Sequence, residues 1–418
     1  MKPRWFAFKV LSLLLGILCS QTFADDIPKN VNFSTRALLP LSIEGLTMDA
    51  TGNFYTTGRT PAAGPQKCPV WRISPNGMTR VTVGFIPAGC GASGITFDSL
   101  GNLYIADSAS GGVVRKVTPD PVGCASDDST SPLCSGIPDA TDYATGVPGT
   151  NGLAFDRNDN LWTGDGVTGL GRVWKISGSG ANCALPQGPT NPCEEAFRIQ
   201  AMANDLDPAV TDGIVNVGAD RRSLPGGTIN AANRMASNIG NSQPLVANGL
   251  AFNHAGDLFV ADTARGAIWK VQFDSKGNIK SPMGICDTTF SANTLCLSNV
   301  FVQHPLLEGA DGIALDQKGN IWADANERNA VIVVSNTGEV TELFRNPVQS
   351  SLRNEGPLEF PTSPFLLGKQ FCTSNSDGNR RDNSPNTAGQ IQPAGPNVGK
   401  ISCMDEELKV SGLPLPVH

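Results

Sequence analysis

Ser93-GITFDSLGNLYIA-Asp107 decides the fold, because the chain repeats this pattern. Close copies run Glu44-GLTMDATGNFYTT-Gly58, Asn151-GLAFDRNDNLWTG-Asp165, Asn248-GLAFNHAGDLFVA-Asp262 and Asp311-GIALDQKGNIWAD-Ala325. A weaker sixth copy begins Ser363-PFLLGKQFCTS-Asn375. Each of the first five opens on a polar residue and Gly. It then runs through a short apolar stretch to Asp49, Asp98, Asp156, Asn253 or Asp316. Gly-Asn or Gly-Asp follows, as in Gly52-Asn53, Gly101-Asn102, Gly256-Asp257 and Gly319-Asn320; the third copy has Asp159-Asn160 instead. Such pairs accept the positive φ of a tight hairpin. A second strand begins with an aromatic at a fixed place: Tyr55, Tyr104, Trp162, Phe259 or Trp322. Third strands follow, among them residues 70–74, 113–117, 173–177 and 268–272.

Three or four strands per unit, repeated six times, predict an all-β, six-bladed β-propeller. Helical repeats would show a 3.6-residue apolar period, which is absent. The blades are expected to start near 44, 93, 151, 248, 311 and 363. The interval from 151 to 248 is too long for one blade. Phe197–Gln200 can finish the third, leaving an insertion at about 203–247 beside the axis.

Residues 1–24 read as a secretory signal. Lys2, Arg4 and Lys9 precede an apolar run from Val10 to Cys19, and Thr22-Phe23-Ala24 offers a cleavage site. Losing those three cations takes the formal charge from −7 to −10. An acidic chain without basic clusters argues against nucleic acid and against an anionic membrane surface after cleavage. The expected location is periplasmic or secreted.

Ten of the eleven cysteines follow the signal, an even number that implies disulfides. Cys124–Cys134, Cys183–Cys193 and Cys286–Cys296 share one spacing after third strands, so their loops should lie opposite the pocket. Cys68–Cys90 should join outer strands of blade one, and Cys372–Cys403 should clamp blade six.

The residues heading the repeats carry the candidate chemistry. Glu44, Ser93, Asn151, Asn248, Asp311 and Ser363 occupy equivalent places where innermost strands meet the axis. Two places on stand Leu46, Ile95, Leu153, Leu250, Ile313 and Phe365, all apolar. A ring of side-chain oxygens with two carboxylates suits a hard divalent cation, Ca²⁺ above Zn²⁺. His304 could line the rim, while Asp107, Asp165 and Asp262 should satisfy turn backbones. No Ser-His-Asp order and no phosphate-binding Gly loop is present.

These repeats resemble the senescence marker protein/gluconolactonase family, also called regucalcin-like, and the related NHL repeats. The resemblance implies a divalent metal held by Glu44, Asn151, Asn248 and Asp311, matching the family's Glu-Asn-Asn-Asp in identity and order. It also implies metal-dependent hydrolysis of a lactone or ester. Asp311, both a ligand and a neighbour of the attacking water, is the expected base. The chain departs from the family's sugar lactonases at Gly149, where they carry Arg, and at Gly152, where they carry Asp. A non-catalytic propeller binding a protein, glycan or small ligand around a structural ion is the alternative reading.

Overall fold

In the computed structural model the described residues are 26–59, 66–109, 111–168, 170–188, 190–199, 247–263, 265–286, 291–307, 309–346, 356–376 and 399–414. The expected signal and nearly all of the expected insertion lie outside them. The first strand, β1 (Phe33–Leu39), belongs to the last blade. Blade one contains β2 (Thr47–Met48), β3 (Phe54–Thr57), β4 (Cys68–Ile73) and β5 (Arg80–Ile86). Blade two follows with β6 (Ala92–Phe97), β7 (Leu103–Asp107), β8 (Val113–Val117) and β9 (Thr141–Thr145). Blade three has β10 (Thr150–Phe155), β11 (Leu161–Asp165), β12 (Arg172–Ile176) and β14 (Cys193–Arg198). A short β13 (Ala181–Asn182) lies in its third-to-fourth connection. Blade four has β15 (Ala247–Phe252), β16 (Leu258–Asp262), β17 (Ala267–Val271) and β18 (Val300–Gln303). Blade five has β19 (Ala310–Leu315), β20 (Ile321–Ala325), β21 (Ala330–Val334) and β22 (Val340–Arg345). Blade six combines β23 (Pro361–Leu367), β24 (Gln370–Asn375) and β25 (Gly399–Met404) with β1, so the two ends of the chain close the circle in one sheet. The chain is thus an all-β, six-bladed propeller.

The hairpin signal of the repeat has a direct physical reading. Asp98 Oδ1 accepts the backbone N–H of Leu100 and Asn102, while Oδ2 accepts the Asn102 amide at 2.7 Å and the Tyr104 hydroxyl at 3.2 Å. Asp49 with Tyr55, Asp156 with Trp162 and Asp316 with Trp322 repeat the arrangement. Blade four alone substitutes Asn253 for the Asp, and there the aromatic is Phe259, which has no donor. The fixed aromatic therefore packs between blades with its polar edge tied to the turn.

All five expected disulfides are present. Cys68 begins β4, but Cys90 lies beyond β5, so that bridge ties a strand to the connection leaving the blade rather than strand to strand. Cys372 and Cys403 face each other across β24 and β25. The other three close loops between third and fourth strands, at the end of the molecule opposite the repeat heads, as expected.

Those loops have a second role. Each lies along the outer strand of the preceding blade. Cys124 exchanges both backbone hydrogen bonds with Thr82 of β5, and Ala140 donates to Phe85. In blade three's loop, β13 pairs in parallel with β9. In blade four's loop, Asn293 and Leu295 bond the backbone of Arg198 in β14. Three outer strands thus have their unpaired edges covered, which removes a template for intermolecular pairing.

Candidate functional site

The head of each repeat is positioned by close backbone contact with its neighbour. A Cβ on Gly45 would stand 2.2 Å from the carbonyl oxygen of Ser93. Gly94 meets Asn151 in the same way at 2.3 Å, Gly152 meets Asn248 at 2.2 Å, and Gly249 meets Asp311 at 2.4 Å. Gly312 meets Thr362 at 2.4 Å, and the Thr362 and Ser374 hydroxyls close the circle by donating to the Glu44 carbonyl. The repeat glycine is required by space, since no side chain fits between adjoining inner strands. These contacts bring Glu44, Ser93, Asn151, Asn248 and Asp311 into one ring.

The sixth member is Thr362 rather than Ser363. Pro361 pairs with Asn375 as Ala310 pairs with Ala325, which aligns Thr362 with Asp311 and Ser363 with Gly312. Ser363 instead helps line the axial shaft below the ring. That shaft is a small cavity of about 90 Å³, walled by Leu46, Ile95, Leu153, Leu250 and Ile313. Leu413 also lines it, donating its N–H to the Leu315 carbonyl. Thr47, Thr96 and Ser363 add hydroxyls to this mainly apolar wall.

In blades one to five the ring residue stands near the residue fifteen places later, just beyond the same blade's second strand. Asn248 donates its amide to Thr263 Oγ1 at 3.0 Å, and Thr263 in turn donates to the Ala310 carbonyl. Asn326 donates its amide to Asp311 Oδ2 at 2.7 Å, fixing the rotation of that carboxylate. Ser93 and Ser108 both turn their hydroxyls to the Gly91 carbonyl. Gly166 lies so close to the Asn151 amide that a Cβ would stand 2.6 Å from its nitrogen. At Glu44 the partner is charged: Arg59 forms an ion pair with its carboxylate. Sequence reasoning missed these partners, although the constant spacing was a usable signal.

Asp324 was also missed. It stands one residue ahead of the place held by Asp107, Asp165 and Asp262, so its side chain leaves the opposite face of the strand. It is fully buried and bonds the Thr373 hydroxyl of blade six. Burial, followed by the charge of Asp311, holds its carboxyl well above the usual range.

The remaining candidates separate cleanly. Asp107, Asp165 and Asp262 accept backbone N–H groups and pair with Arg115, Arg172 and Arg265, as expected of turn-holding residues. His304 follows β18 and accepts the Leu306 N–H at Nδ1. Burial and then the Arg328 charge lower its pKa, and it does not line the axial shaft. At Gly149, φ is +76° and a Cβ would meet Asp165 Oδ1 at 2.1 Å. No side chain, Arg included, is accommodated there.

Among the described residues no three His, Cys, Asp or Glu side chains converge, so a cation here would rely on amide oxygens as well as carboxylates. The donor chemistry fits that demand. The Asn248 nitrogen is engaged by Thr263, so its oxygen is the atom remaining for the ring. Glu44 and Asp311 supply two carboxylates, and the ring contains neither His nor Cys, a set of hard oxygen ligands.

The fold and this ring define a class: a six-bladed propeller with an oxygen-donor ring at one mouth of its axis. The family model described as the SMP-30/Gluconolactonase/LRE-like region matches residues 213–352, which include the repeat heads Asn248 and Asp311. The resemblance read from the repeats is therefore met by a family match. Solved structures share the whole architecture. A putative gluconolactonase aligns at 13% identity over 94% of this chain and 97% of its own, with a TM-score of 0.50. A luciferin-regenerating enzyme aligns at 12% identity over 92% and 97%, with a TM-score of 0.51. The PQQ-bound aldose sugar dehydrogenase of Streptomyces coelicolor aligns at 13% identity over 90% and 99%, with a TM-score of 0.50. At such identities the likeness is one of fold. The search of curated proteins found no match.

Proposed function

We propose that this protein is an exported, divalent-metal-dependent hydrolase of lactones or other small esters. The observation that carries the reading is the ring itself. Glu44, Asn151, Asn248 and Asp311 head the inner strands of blades one, three, four and five, and two of them are oriented by dedicated partners, Thr263 and Asn326. Ca²⁺ is the favoured ion, because every donor is a hard oxygen. When bound, such an ion polarises a carbonyl and acidifies water.

The chain's own residues supply the rest. Glu44, Asn151 and Asn248 hold the cation site in shape. Asp311, rotationally fixed by Asn326, takes the proton from the attacking water at its carboxylate. Export is supported by the N-terminal pattern and by five disulfides, the covalent chemistry of oxidising compartments.

Asp311→Asn tests the reading. Turnover on a panel of lactones and aryl esters should fall by about 10²–10⁴, the usual contribution of a positioned acid or base. Glu44→Gln should act through the metal, so excess Ca²⁺ restores part of its activity but none of that lost in Asp311→Asn. Full activity in metal-loaded Asp311→Asn would remove the base assignment. A wild type inert on the whole panel would leave a propeller that binds a protein, glycan or small ligand.

A further inference from the structure

Around the ring, the partner fifteen residues on is small or neutral in four blades: Ser108, Gly166, Thr263 and Asn326. In blade one it is a guanidinium, paired with a ring carboxylate. The Glu44 side chain is 12% exposed and that of Arg59 is 26% exposed. Glu44 is thus mostly withdrawn from water, and its charge needs a nearby cation. Arg59 supplies one from within the chain.

A divalent ion on Glu44 would place two like-signed charges on one carboxylate at close range, which is unfavourable. One must leave. The Arg59 backbone is fixed, because its N–H donates to the Ser42 carbonyl at 2.8 Å in an isolated bridge. Its side chain is long and partly open to solvent, so it can leave by changing rotamer without moving a strand.

We propose that Arg59 is a resident counter-ion for Glu44 that a divalent cation must displace, so that Arg59 sets the affinity of the ring for its metal. The proposal rests on the metal-binding reading above and goes beyond it. Without metal, Arg59 offsets the charge of Glu44, one of the ring's two carboxylates. Metal binding is then an exchange of cations, weaker than the four oxygen ligands alone would give. Arg59 is a positioning residue here, acting through Glu44.

The test uses the mature chain, calorimetric titration with Ca²⁺ and thermal melts with and without it. Arg59→Gln should bind Ca²⁺ about tenfold more tightly than wild type, since a repelling charge next to the ion is gone. Its metal-free melting temperature should drop, because Glu44 loses its partner, and its gain on adding Ca²⁺ should exceed that of wild type. Arg59→Lys, which keeps the charge but not the planar fork, should fall between the two. A folded Arg59→Gln with unchanged or weaker Ca²⁺ affinity would overturn the exchange and leave Arg59 as an organiser of the ring. If neither protein binds Ca²⁺, Mn²⁺ or Zn²⁺, the metal reading fails and this inference fails with it. Binding by Arg59→Gln alone would support both.

Discussion

The two ends of each repeat differ in what they hold constant. At the hairpin end, Asp49, Asp98, Asp156 and Asp316 make nearly the same bonds to turn backbone, Asn amide and aromatic edge in four blades. At the axial end, the equivalent positions carry Glu44, Ser93, Asn151, Asn248, Asp311 and Thr362, each with a different partner. The hairpins build six similar blades, and similar work needs similar residues. The ring surrounds one point, where six side chains of five kinds can jointly make a single asymmetric site. The same division holds between faces. Three disulfide loops reinforce the hairpin face, while the ring occupies the other.

Glycines should break this comparison most sharply. Gly249→Ala drives a methyl to 2.4 Å from the Asp311 carbonyl, with the backbone of Gly312 and Ile313 also within 2.8 Å. It should cost about 3 kcal/mol, at the upper end for overpacking, and perturb the ring. Gly101→Ala at a hairpin meets nothing within 4 Å and suffers only from its φ of +82°. It should cost about 1 kcal/mol. Urea unfolding of both variants measures the difference, and equal losses would refute the assignment of space to one glycine and backbone freedom to the other.

The disulfide loops come next. Cys124→Ser combined with Cys134→Ser should lose roughly 2–3 kcal/mol on the loop-entropy account. The amides of Thr82 and Phe85, which donate to that loop, should then exchange faster by hydrogen-exchange mass spectrometry or NMR. Unchanged exchange there would mean the loop needs no staple to cover the edge.

A smaller effect is expected from Asp156→Asn, which gives blade three the turn of blade four. The two backbone N–H bonds can persist, while the acceptor for the Trp162 indole is lost, because an amide nitrogen only donates. About 1 kcal/mol should be lost, with a change in tryptophan fluorescence.

The smallest effect is alkaline. The three tyrosines of the chain, Tyr55, Tyr104 and Tyr143, all have raised pKa values, first through burial and then through nearby aspartates. For Tyr55 burial and Asp49 push the value to about 12. An unfolded phenol ionises near 10. The unfolded chain therefore releases protons first, and the stability these groups contribute is lost as pH rises from about 10 through the folded values. Absorbance at 295 nm should show little phenolate near pH 10. A normal titration there would show the hairpin aromatics to be solvated.

Much of this was legible in sequence because a repeat read five times reports its own constraints. Strand order, hairpins, disulfide partners and five of six ring positions follow from residues such as Gly94, Asp98, Gly101 and Tyr104 recurring in register. The sixth position slipped by one because Ser363 stands where the other blades have the marking glycine. The ring partners were missed because Arg59, Ser108, Gly166, Thr263 and Asn326 share a place but no chemistry. Asp324 stands one residue ahead of the turn-holding aspartates, and one residue along a strand reverses the face.

The sequence by itself determined the blades, because each is local and its turns, aromatics and alternation lie within some forty residues. Tertiary structure decided what lies between blades. It set the close approach of Gly249 to the Asp311 carbonyl, the covering of β5 by the Cys124 loop and the closure of blade six by β1. It also placed Asp324 against Thr373. These contacts join residues far apart in the chain, and they exist only when six similar sheets are brought around one axis.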